Sequence, residues 1–146
     1  MFKKILVCVD GSECGEHAAQ VAIDIAWKFG AEVVLINVCD LAAATAPFLV
    51  APEAIPNIGG IGEYMCDAQK TLLAEARQLF EKQGISLKVR GDMGQPVDLI
   101  VRAAEEERAD LIVLGSRGMG GFTRLMLGSV SDGVLHHAHC PVMIVK

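Results

Sequence analysis

Twice in this chain a short apolar run ends in a glycine-bearing turn and passes directly into a helical pattern. The first is Lys3-Lys-Ile-Leu-Val-Cys-Val9 before Asp10-Gly11-Ser12, and the second is Leu111-Ile-Val-Leu114 before Gly115-Ser-Arg-Gly118. A strand that is apolar at successive positions needs cover on both faces, the situation of a parallel strand between two helical layers. After the first turn Ala18, Val21, Ala22, Ile25, Ala26 and Phe29 recur at steps of three and four, and Gly30 supplies a stop. The alternation continues: strands are expected near 3–9, 32–38, 86–90, 110–115 and 141–145, and helices near 13–29, 63–83, 96–107 and 129–138. Leu72, Leu73, Ala76, Leu79 and Phe80 share one face of the second helix, and Pro96 suits the first turn of the third. Such alternation predicts an α/β fold, an open parallel five-stranded sheet with helices on both faces. The 146 residues are expected to form a single domain, 1–146. A chain of that size buries about 70% of the surface it exposes when unfolded.

The second turn carries the most chemistry. Gly115-Ser-Arg-Gly118 is followed, after nine intervening residues, by Gly128-Ser129 and a helical pattern. Glycines let a backbone curl without Cβ clashes, and a helix start offers free N–H groups and the positive end of its dipole, so the segment reads as a phosphate-binding loop. It is not the Walker pattern, which needs Gly-Lys-Ser/Thr, nor the dinucleotide fingerprint, which needs three close glycines after the first strand. A glycine-rich surface turn is the alternative. Asp10 falls at the carboxyl end of the first strand, the edge where open α/β sheets bind ligands; the alternative for it is a turn or helix-capping aspartate.

Taken together, these segments resemble the universal stress protein family, in the branch that binds ATP. The resemblance covers essentially the whole chain: Val9-Asp10-Gly11-Ser12, Ile36-Asn37-Val38, the Gly115, Gly118 and Gly128-Ser129 spacing, and the closing Cys140-Pro-Val-Met-Ile-Val145. It implies a Rossmann-like sheet similar to that of the adenine nucleotide alpha hydrolases. It also implies ATP binding, with Mg²⁺ or Mn²⁺, as a regulatory or signalling event in stress response. By resemblance Val9 and Asp10 lie at the nucleotide, Asp10 near the ribose and the phosphate-bound metal, and Val38 meets the adenine through its backbone. Gly115, Ser116, Arg117, Gly118, Met119, Gly120 and Gly121, with Gly128, Ser129, Val130 and Ser131, would cradle ribose and phosphates. Cys8 departs from the family pattern, where a smaller residue or proline is familiar, and bears on the shape of the adenine pocket. The resemblance further implies a homodimer joined through the edge strand at 141–145, whose first residue, Pro141, can dispense with its N–H.

Several classes are excluded or weakened by composition. A net charge of −5 with no basic cluster argues against nucleic-acid binding. No apolar run reaches the length of a membrane span, and the N-terminal run, stopped by Asp10, reads as a strand rather than a signal peptide, so a cytoplasmic protein without membrane insertion is expected. The five cysteines, Cys8, Cys14, Cys39, Cys66 and Cys140, have no Cys-x-x-Cys spacing and read as reduced thiols. His136, His137 and His139 beside Cys140 contain zinc-ligand types but fall where a helix should end, where cationic or hydrogen-bonding side chains are favoured by the dipole. His17 reads as structural. No catalytic residues are assigned: no Ser-His-Asp or Cys-His arrangement is legible, and the loop lacks the lysine of P-loop enzymes, although Arg117 is able to contact phosphate. Slow hydrolysis at most is expected, with a weak ATPase or a nucleotide-independent interaction module as the alternatives. The stretch 41–62, Ala-rich with three prolines and three glycines, is read as a long loop beside the nucleotide edge, a lid, a surface for a protein partner, or an insertion without a role.

Overall fold

The computed structural model describes residues 1–50, 59–118 and 126–146. In chain order the elements are β1 (Lys4–Cys8), α1 (Glu13–Phe29), β2 (Glu32–Cys39), α2 (Leu41–Val50), α3 (Gly59–Glu81), β3 (Leu87–Met93), α4 (Pro96–Glu107), β4 (Leu111–Gly115), α5 (Ser129–His137) and β5 (Val142–Val145). Among the described residues the five strands form one parallel sheet in the order β3-β2-β1-β4-β5.

Strand alternation sorts the apolar residues into two cores. Ile5, Val7, Val33, Leu35, Leu111 and Val113 point to one face, where Ala18, Ala22 and Ala26 of α1 and Leu73, Ala76 and Phe80 of α3 cover them. Leu6, Val34, Ile36, Ile112 and Leu114 point to the other, under Ile100, Ala103 and Ala104 of α4 and Val134 of α5. Small residues on α1 and α4 let those helices lie close to the sheet.

Local signals fix the helix ends. Ser12 caps α1 by accepting from the Gly15 N–H at 3.0 Å, and Gly30 closes it at φ 64°. Gln95 caps α4 just before Pro96.

The sequence expectation fails most plainly after β2. Residues 41–50, read as loop, form α2, and α3 already begins at Gly59, so the only stretch between these helices is 51–58, outside the described residues. The Asp40 carboxylate accepts the Ala43 N–H at 3.0 Å and so starts α2, after which the alanine-rich run has the strongest helix propensity available. β3 also extends past residue 90 to Met93, because its pairing with β2 continues to Cys39↔Met93.

β4 and α1 meet at Gly115, where an added Cβ would sit 2.7 Å from the carbonyl carbon of Cys14 and 2.8 Å from the nitrogen of Gly15. Both neighbours are backbone and cannot rotate away. Gly115→Ala is therefore expected to lower stability by about 1–3 kcal/mol, the usual cost of overpacking, measured by urea unfolding.

Candidate functional site

The strand order places β1 centrally, with the chain winding to β2 and β3 on one side and to β4 and β5 on the other. At such a switch point the connections leaving adjacent carboxyl ends diverge and open a crevice. Here the crevice is a cavity of about 110 Å³. Ile36, Val38, Pro96, Ile100 and Val130 give it an apolar wall, and Asp10, Ser131 and the Gly115 backbone give it a polar one.

Of the residues singled out from the sequence, Val9, Asp10, Val38, Gly115, Val130 and Ser131 line this cavity. Ser116, Arg117, Gly118 and Gly128 form the turn that continues from β4. Ser129 is the first residue of α5. Met119, Gly120 and Gly121 lie outside the described residues.

Asp10 is divided between two tasks. Its Oδ1 accepts from the Ser12 N–H at 3.0 Å and from the Ser12 hydroxyl at 2.5 Å. Its Oδ2 faces the turn after β4, 3.0 Å from where a Cβ on Gly118 would be. The capping-turn reading and the ligand-edge reading of this aspartate are thus both compatible with its geometry. Ser12 also lies 3.2 Å from the Arg117 carbonyl, tying the first turn to the second.

The turn after β4 is closed by its own hydrogen bonds. Gly128 N–H donates to Ser116 O at 2.7 Å, and the Ser131 hydroxyl, 2% exposed, donates to Ser116 O or Gly128 O, both at 2.9 Å. The Ser116 N–H donates to Val145 O at 2.7 Å, carrying the sheet ladder one residue beyond β4. Gly128, at φ −65°, caps α5 and makes no side-chain cap hydrogen bond. Ser129 is therefore the first helical residue, not the cap. Nor do the glycines serve a left-handed backbone: the described glycines with positive φ are Gly11, Gly30, Gly84 and Gly94. Gly115, Gly118 and Gly128 are small because other atoms come close, the last with Arg117 Cα and Ser116 O each 3.4 Å from a built Cβ.

A polar cluster that sequence reasoning missed holds the neighbouring strand ends. Asn37, 7% exposed, donates through Nδ2 to Val9 O at 2.7 Å. Gln69 of α3 directs its Nε2 at Asn37 O, Asn37 Oδ1 and Asp92 O, each at 3.0 Å. The available signal was an asparagine within the apolar run of β2, a position where a buried amide needs partners. Elsewhere, His136 and His137 turn Nδ1 back to the carbonyls of Asp132 and Gly133, each at 2.8 Å, within α5.

Cys8 lines the cavity as a neutral thiol. Burial, with the nearby Asp10 charge adding to it, pushes its pKa up from 9.0 to about 12. In the unfolded chain the thiol loses its proton near pH 9, while the folded protein keeps it to about 12. The unfolded state then binds fewer protons, so this group's stabilising contribution is complete below pH 9 and is lost as pH rises towards 12. Urea unfolding from pH 8 to 11 is expected to show a smaller alkaline loss in Cys8→Ser than in wild type.

Residues 1–146 match the model of the universal stress protein family. Universal stress protein MJ0531 of Methanocaldococcus jannaschii is 38% identical over 149 residues, covering 100% of this chain and 83% of that protein. Among solved structures, the hypothetical protein MJ0577 superposes with a TM-score of 0.84 at 28% identity, covering 100% of this chain and 96% of the other. The universal stress protein from Archaeoglobus fulgidus in complex with dAMP superposes with a TM-score of 0.69 at 26% identity, covering 99% and 98%. Full-length agreement in sequence, together with the parallel Rossmann-like sheet, means that this chain belongs to the universal stress protein family.

Proposed function

We propose that the cavity binds ATP together with Mg²⁺ or Mn²⁺, and that binding serves a regulatory or signalling role. The observation that carries the reading is the meeting of three features at one edge: the apolar slot beside Val38, the Asp10 Oδ2 facing Gly118, and the α5 start at Gly128 with no side-chain cap. An adenine ring suits the slot, with Val38 presenting backbone groups to it. Phosphates suit the turn, where N–H groups from Gly118 and the first turn of α5 and the positive dipole end act together. The complex of the Archaeoglobus fulgidus relative with dAMP supports an adenine nucleotide as the class of ligand.

The residues present fit a cation carried in by the phosphates. Among the described residues no three His, Cys, Asp or Glu side chains gather as a metal site. A hard cation held by Asp10 Oδ2, phosphate oxygens and water requires no such group. The cation supplies neutralising charge. Binding rather than rapid turnover follows from the commitments of the nearby groups: Asp10 Oδ1 is held by Ser12 and the Ser131 proton by backbone carbonyls, so neither stands ready as a base or nucleophile.

Titration calorimetry tests this. Gly118→Val places branches in the phosphate space and is expected to abolish Mg-ATP binding while thermal unfolding stays close to wild type. Asp10→Asn is expected to lose most of the gain in affinity that Mg²⁺ gives wild type, with little change in EDTA. Unimpaired Mg-ATP binding by Gly118→Val would remove the loop from the site, and loss by Asp10→Asn equally in EDTA would make Asp10 a ribose or structural residue.

The same reading includes a homodimer through β5. That strand is an edge of the sheet, but Met143 and Val145 pack on the α1 side and Val142 and Ile144 on the α4–α5 side of this chain's own cores. Lysine at these positions would test the core, not the dimer. Ile112 and Ser116 donate to the carbonyls of Pro141 and Val145, so residues of that parity face β4 and the N–H of Ile144 faces outward. Ile144→Pro removes an outward donor and keeps the inward ladder. Sedimentation at micromolar concentration is expected to give a dimer for wild type and a monomer for this variant.

A further inference from the structure

On the α3 side of the sheet, opposite the face on which Val38 borders the cavity, three sulfur-bearing side chains share the solvent rim. Cys39 and Met93 are register partners at the ends of β2 and β3 and so project to the same face. That face is the one α3 covers, since Val33 and Leu35 of β2 and Leu87 and Val89 of β3, of the same parity, pack in its core. Cys66 reaches down from α3 with its Sγ 3.6 Å from Met93 Sδ. The placement is reinforced one turn along the helix, where Gln69 holds Asn37 and Asp92, the residues just inward on the two strands. The Cys39 thiol donates to Asn37 Oδ1 at 3.5 Å, so its sulfur lies on this same side.

Packing alone is a poor account of the cluster. Cys39 and Cys66 are half-buried, and Met93 is 40% exposed, so the sulfurs stand where an ion can reach them from water. We propose that Cys39, Cys66 and Met93 form a three-coordinate site for a soft monovalent metal ion of the Cu(I) class. Two thiols and a thioether are the donor set such ions select, whereas hard cations take oxygen and zinc favours four nitrogen or sulfur ligands. Binding replaces two S–H bonds by two S–metal bonds, with both protons released to water and a thioether lone pair as third donor; no oxidation state changes.

The test uses reduced full-length protein carrying Cys8→Ser, Cys14→Ser and Cys140→Ser, titrated with Cu(I) buffered by bicinchoninate. The expected result is one Cu(I) per chain with a thiolate-to-copper band in the ultraviolet. Adding Cys39→Ser or Cys66→Ser is expected to abolish it. Adding Met93→Leu should weaken it at least tenfold, about the least that losing even an indirect partner of a metal ligand costs. Unchanged affinity in Met93→Leu, tighter binding of Zn²⁺ than of Cu(I), or no uptake by the folded background protein would overturn the site. Should the triple variant misfold, alkylation of wild type decides the matter: Cu(I) must protect Cys39 and Cys66 and leave Cys8, Cys14 and Cys140 as reactive as before.

Discussion

The approach of β4 to the start of α1 is the constraint on which the carboxyl edge depends. With 2.7 Å between a built Cβ at Gly115 and the Cys14 backbone, nothing larger than glycine lets the strand end so near the helix. That contact brings the Arg117 carbonyl to Ser12 and the Gly118 backbone to Asp10, so that two turns more than a hundred residues apart in sequence share one surface. Ser12 serves both: it caps α1 and bridges to the later turn. A binding edge built this way is assembled mostly from backbone and short side chains, whose few rotamers leave little side-chain entropy to lose when a ligand binds.

The edge stays in place because the sheet beneath it is covered twice. Buried apolar side chains leave β1, β2 and β4 in both directions, and each direction meets a pair of helices. Small residues on α1 and α4 bring the helices close, while Phe80, fully buried, fills the space under α3. Rigidity at the cavity floor thus comes from close packing, and the turns above it can be short and polar without loss of position.

How much of this was legible in the sequence follows from which interactions are local. Apolar runs, helical spacing, the Gly30 stop and the proline in the first turn of α4 act over a few residues, and the strands and four of the five helices followed from them. α2 was misread because Pro47 within it, with the prolines and glycines beyond it in the 41–62 stretch, outweighed the Asp40 cap and the alanine run that in fact start a helix. The role of the glycines was half legible: their positions marked the turn, but the reason at Gly115, close approach rather than positive φ, is set by α1, a tertiary neighbour. The Asn37–Gln69 pair was invisible for the same reason, since its members lie on different elements and meet only when α3 docks.

That pair connects the two faces of the sheet end. Gln69 Nε2 has two protons for three acceptors at 3.0 Å, so it shares them among Asn37 O, Asn37 Oδ1 and Asp92 O. Asn37 in turn holds the Val9 carbonyl, immediately before Asp10. A built Cβ on Gly91 would come within 2.7 Å of Gln69 Oε1, so glycine at that position lets the amide lie flat against β3. The position of α3 is therefore transmitted through three buried groups to the start of the Asp10 turn. Anything that shifts the N-terminal half of α3, where Cys66 sits one turn from Gln69, acts on the same polar cluster that fixes the strand ends at the cavity. The sulfur rim and the candidate nucleotide edge lie on opposite faces, yet they share this support.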